Sequence, residues 1–87
     1  MLKIEYGWNL KILENYGLKK CGICYSKKSN ISNDYLCVDI MNGVIYIDTD
    51  DNDSGDCLDL LDTLFDLIKA GLVEKVSYEY GKIDWKI

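Results

Sequence analysis

The sequence predicts an α+β fold: a small antiparallel sheet of four to six strands with two helices, in the order β-α-β-β-β-α-β, with or without a further terminal strand. Three observations carry that prediction. Apolar and polar residues alternate in several short stretches, the period of a half-buried strand. Asn42-Gly43 lies between two such stretches, where it marks a hairpin turn. Two other stretches repeat apolar residues at helical spacing, and each ends at a glycine, Gly17 or Gly71.

Taken in order, Leu2, Ile4, Tyr6 and Trp8 alternate with Lys3 and Glu5 and read as a strand. Asn9 can cap a short helix that carries Leu10, Leu13 and Tyr16 and stops at Gly17. Ile23 and Tyr25 suggest a short strand, and residues 27–34 have loop chemistry. A two-residue type I′ turn at Asn42-Gly43 pairs Met41 with Val44, Ile40 with Ile45, Val38 with Ile47 and Leu36 with Thr49. Leu36, Val38, Ile40, Ile45 and Ile47 then share the core face. Tyr35, Cys37, Asp39, Tyr46, Asp48 and Asp50 take the other. A second helix follows, its core side carrying Leu58, Leu61, Leu64, Phe65 and Ile68, its start capped by Ser54 or Asp56. Val76, Tyr78 and Tyr80 read as a strand. Ile83, Trp85 and Ile87 are a further alternation, with Gly81 shifting the phase between the two.

Length and composition bound the function. At 87 residues the chain is expected to be one domain, residues 1–87. Its 48% apolar and 29% charged residues are those of a globular protein. His, Pro, Arg and Gln do not occur. Without His there is no Ser-His-Asp or Cys-His catalysis and no His-ligated metal; without Arg there is no guanidinium fork for phosphate. No Gly-rich phosphate loop is present, and the carboxylates fall on faces expected to be exposed, so an enzyme is not expected and no cofactor is implied. No apolar run reaches the length of a signal peptide or a membrane span, so the expectation is a cytoplasmic protein without membrane contact. Its four cysteines would then be thiols or metal ligands rather than disulfides.

Charge is strongly polarised. Residues 29–68 hold ten Asp and no Lys, whereas residues 1–28 hold six Lys against two Glu. Asp59, Asp62 and Asp66 sit at i, i+3 and i+7, which places them along one helix face, and Asp39, Asp48 and Asp50 share the outer hairpin face with Tyr35 and Tyr46. An acidic face keeps a small protein soluble. It can equally be a surface presented to a basic protein, with tyrosines as anchors. The overall charge of −5 argues against direct nucleic-acid binding. The partner contact is therefore expected at Tyr35, Asp39, Tyr46, Asp48, Asp50, Asp59, Asp62 and Asp66.

In its size, its lack of catalytic residues, its Asp- and Tyr-rich face and its bias toward Lys, Asn, Ile, Tyr and Asp, the chain resembles the small acidic inhibitors encoded by phages and mobile elements, nucleic-acid-mimicking anti-CRISPR proteins among them. It is similar in the same way to acidic immunity proteins that block a nuclease toxin. The likeness is one of class and carries over no individual residue. It implies a basic, nucleic-acid-binding protein as the partner to be inhibited.

The alternative is a small cation-binding domain. Within the Asp48–Asp56 loop, Asp50, Asn52, Ser54 and Asp56 supply oxygens at alternate positions, with Gly55 for a sharp turn, as a calcium loop does. Position 12 of such a loop would be Leu61 rather than a bidentate Glu, which rejects a full EF-hand. Cys21 and Cys24 have the spacing of a zinc half-site, which Cys37 and Cys57 could complete only through the fold.

Overall fold

The computed structural model describes residues 1–5, 7, 9–49 and 57–76. Among these residues six strands form one antiparallel sheet: β1 (Leu2–Ile4), β2 (Lys19–Cys21), β3 (Cys24–Lys28), β4 (Tyr35–Asp39), β5 (Val44–Asp48) and β6 (Val73–Lys75). Their spatial order is β2-β3-β4-β5-β1-β6. A 3₁₀ helix (Leu10–Tyr16) follows β1, and an α-helix, α1 (Leu58–Lys69), joins β5 to β6. The α+β class, the antiparallel sheet and the two helices agree with the sequence reading. The element order agrees only in part. Four strands rather than three separate the helices, and the only α-helix among the described residues is the late one.

The extra strand is β2. Cys21 pairs with Cys24 across a two-residue turn, Gly22-Ile23, with Gly22 at φ 61 and Ile23 at negative φ. That is the arrangement of a type II′ hairpin, which needs glycine at its first central position. The early helix is 3₁₀ for a legible reason. Leu10, Leu13 and Tyr16 recur every three residues, the period at which 3₁₀ side chains eclipse. Asn9 Oδ1 accepts from Lys11 N at 2.9 Å, as expected of its cap.

The central hairpin keeps its faces but changes its register. Val38 pairs with Ile45, Leu36 with Ile47 and Tyr35 with Asp48, two residues away from the pairing an Asn42-Gly43 type I′ turn would impose. The loop is four residues long, 40–43. Asp39 Oδ1 accepts from Met41 N at 2.8 Å, and the Asp39 carbonyl accepts from Gly43 N at 2.7 Å. Asp39 thus winds the chain into one helical turn, and Gly43, at φ 74, supplies the left-handed residue that ends it. A slip of two leaves every side chain on its side of the sheet. Leu36, Val38 and Ile45 are buried, with Ile40 and Ile47 packed against them.

The core lies between the sheet and both helices, where Ile4, Leu13, Tyr25, Leu36, Val38, Leu60, Leu67 and Leu72 form one cluster. α1 turns a different face inward than its spacing suggests. Leu60, Thr63 and Leu67 are buried and Leu64 is half-buried, while Leu58, Leu61, Phe65 and Ile68 are 45–59% exposed. Its N-cap is Cys57, not Ser54 or Asp56, and that cap makes no side-chain hydrogen bond. Its end is a Schellman motif at Gly71, with Leu72 N bonded to the Leu67 carbonyl and Gly71 N to that of Ile68. β6 begins at Val73, earlier than expected, and Val76 exchanges backbone hydrogen bonds with Met1 at 2.8 Å each. The expected strands through Tyr78, Tyr80 and Ile83–Ile87 lie outside the described residues. Among the described residues no helix is long and apolar enough to cross a membrane.

Candidate protein-binding surface

Strand parity places the hairpin residues. Leu36 and Val38 face the core, so Tyr35, Cys37 and Asp39 face away from both helices, and so do Tyr46 and Asp48 of β5. Tyr35 stands opposite Asp48, and Cys37 opposite Tyr46. Tyr35 is 38% exposed and Tyr46 45%. Two aromatic rings and two carboxylates therefore share one open sheet face, as expected. Asp50 lies outside the described residues, as do Asn52, Ser54 and Asp56 and with them the whole calcium-loop reading.

The three helix acids are not on that face. α1 packs on the inner side of the sheet, through Leu60 and Leu67 and through Lys27 Nζ, which donates to Thr63 Oγ1 at 2.7 Å. Asp62 and Asp66 are exposed on this second layer. Asp59 is occupied. Its Oδ1 accepts from Ser29 Oγ at 2.8 Å and its Oδ2 from Asn30 N at 2.7 Å. The Asn30 backbone donor first, and then the Ser29 hydroxyl, hold its pKa below the ordinary carboxylate value. Asp59 is the clasp between α1 and the loop Ser29–Asp34, not part of a free stripe. The same loop buries Asp34, whose Oδ2 accepts from Ser32 Oγ at 3.0 Å. One expected contact surface is thus two surfaces on opposite sides of the molecule. Asp59 belongs to neither.

The cysteines do not assemble a zinc site. Cys21 and Cys24 flank the β2–β3 turn, Cys37 lies on the open face, and Cys57 caps α1 on the helix side. The sheet itself separates Cys57 from the rest. Among the described residues no group of three or more Cys, Asp or Glu side chains could hold a metal ion. Cys37 is 4% exposed despite its outward direction. Burial, then the neighbouring Cys24 and Asp48, push its thiol up to about 11, against a hydrogen bond from Tyr46 that favours the thiolate. It is a protonated thiol at neutral pH and a poor nucleophile. The Tyr46 hydroxyl is raised in turn, by burial first and by Cys37 next.

One feature of the surface is absent from the sequence reading. A groove of about 510 Å³ runs along the β2–β3 edge, lined by Lys19, Lys20, Ser26, Lys28, Asn30 and Tyr35 among others. The signal was present in the sequence as Lys19-Lys20 and Lys27-Lys28, but only the hairpin brings the two pairs together. No protein-family model matches the chain, and no curated protein or solved structure matches it either.

Proposed function

We propose that this protein is a non-enzymatic binding protein that occupies and inhibits a basic, nucleic-acid-binding protein through the open face of its central hairpin. Tyr35 and Tyr46 are the anchors of the contact. Asp39 and Asp48 are its charges. The observation that supports this reading most is the pairing of Tyr35 with Asp48 on that face, two residues along β5 from Tyr46. Half-exposed tyrosines flanked by carboxylates, all on strands, give low-entropy aromatic contacts and a charge pattern that selects a basic surface. Asp62 and Asp66, on the other layer, take no part in the same contact.

The experiment is a tagged pull-down from lysate of the source cell, washed at low and high salt, with the wild type beside Tyr35→Ala/Tyr46→Ala. The expected result is one basic nucleic-acid-processing protein, retained at low salt, released by high salt and lost with the tyrosine variant. Prey that ignores both salt and the two tyrosines would overturn the reading.

A further inference from the structure

The β2–β3 groove concentrates positive charge in a net acidic protein. Lys19 stands across from Ser26, and Lys28 from Tyr35, so these four side chains share the open face at neighbouring register positions. Lys20 faces the other way, beside Tyr25, and reaches the groove around the sheet edge. Asn30 closes one end. Among the described residues no carboxylate lines the groove. Its volume of about 510 Å³ suits a small ligand.

Lysines on an edge strand have an ordinary use, which is to stop the edge from pairing with another chain. That accounts for Lys19 and Lys20 on β2. It extends to Lys28, because β2 pairs with β3 only as far as Ser26 and leaves Lys28 paired on the β4 side alone. It does not account for a concave site with hydroxyl and amide groups between the ammonium groups. Like charges at adjacent positions on one sheet face repel. An anion between Lys19 and Lys28 would relieve that repulsion and receive charge-assisted hydrogen bonds from both.

We infer that this groove binds a small phosphate-bearing ligand with a planar ring, of the mononucleotide class. The phosphate lies among Lys19, Lys20 and Lys28, with Ser26 and Asn30 as neutral donors. The ring lies against Tyr35, whose cross-strand neighbour Asp48 carries the charge that would repel a phosphate at that end. The polarity of the groove therefore fixes the ligand's direction. The site shares Tyr35 with the sheet surface proposed above but does not rest on that reading.

The test is titration of the isotope-labelled full chain with adenosine monophosphate and, in parallel, inorganic phosphate, each to about 10 mM, following backbone amide shifts. Saturable shifts at Lys19–Cys21 and Ser26–Lys28 are expected with both probes. The variant Lys19→Gln/Lys28→Gln should bind at least about tenfold more weakly, whereas Lys69→Gln/Lys75→Gln, with the same charge change elsewhere, should bind as the wild type does. Shifts that do not saturate, or an equal loss in both variants, would mean diffuse screening and overturn the site. Tyr35→Ser should weaken the nucleotide by about fivefold or more and leave inorganic phosphate unchanged. Nucleotide affinity indifferent to Tyr35→Ser would overturn the ring contact and the nucleotide assignment with it.

Discussion

Asp59 shows at the scale of one residue how a carboxylate can be read as surface and turn out to be structure. It lies in the first turn of α1, where a negative charge suits the helix dipole, and both its oxygens are taken by the Ser29–Asp34 loop. Ser29 is the hub on the other side. Its hydroxyl donates to Asp59 while accepting from Ile31 N and Ser32 N, each at 3.1 Å. Because the folded-state pKa of Asp59 is lowered, its contribution is complete above the ordinary aspartate value of 3.8 and is lost as pH falls through the lowered value. Asp59→Ala should therefore lower the melting temperature at neutral pH and speed amide exchange at Asn30–Ser32. The deficit should shrink on acidification toward the lowered pKa, because the wild type then loses the same interaction. A deficit that stays constant from neutral pH to below 3.8 would show that the clasp does not depend on charge. Spacing alone could not reveal this role, since the 59, 62, 66 pattern is the same whether the first carboxylate is free or held by a loop 29 residues away.

At the scale of elements, what was legible followed from period and what was not followed from competition between equal patterns. The parity of β4 and β5 was readable because any register slip by two preserves it. The register itself was not, because Asn-Gly marks a turn without saying how many residues precede it in the loop. The Asp39 side chain decided that. In α1 the difficulty is greater. Leu58, Leu61, Phe65 and Ile68 form one apolar stripe, and Leu60, Leu64 and Leu67 form another. Helical spacing supports both stripes. The fold buries the second, and Lys27 from β3 reaches Thr63 within it. The two stripes should differ sharply in a chemical denaturation series. Leu67→Ala, at a fully buried position, should cost about 2–5 kcal/mol, whereas Phe65→Ser should cost less than about 1 kcal/mol. Similar costs at the two sites would mean that Phe65 is covered in solution. The Cys21–Cys24 spacing carries the same kind of ambiguity. A Cys-x-x-Cys with Gly in second place is also the two-residue hairpin pattern, and here Gly22 makes the turn.

At the scale of the whole molecule, the charge polarity of the sequence becomes a spatial arrangement. The sheet presents lysines at its β2–β3 edge and carboxylates on β4–β5, while α1 carries Asp62 and Asp66 on the opposite layer. A rigid partner seated on the open face cannot also touch the helix acids, since the sheet and the core lie between. The two acidic sets therefore separate by mutation. Asp39→Asn/Asp48→Asn keeps an oxygen at position 39 to accept from Met41 N, so the turn survives while two charges are removed from the contact. Exposed interfacial charges act mainly through encounter rate, so this variant should slow association with the captured partner by about threefold to tenfold and flatten its salt dependence. Asp62→Asn/Asp66→Asn removes the same charge from the far side, where screening over more than a Debye length of about 8 Å leaves little effect, and its association rate should match that of the wild type at physiological salt. Equal slowing by both pairs would mean that net charge alone steers the encounter. A loss confined to the helix pair would place the partner on α1, over the exposed stripe of Leu58, Leu61, Phe65 and Ile68, and would move the binding surface from the sheet to the helix.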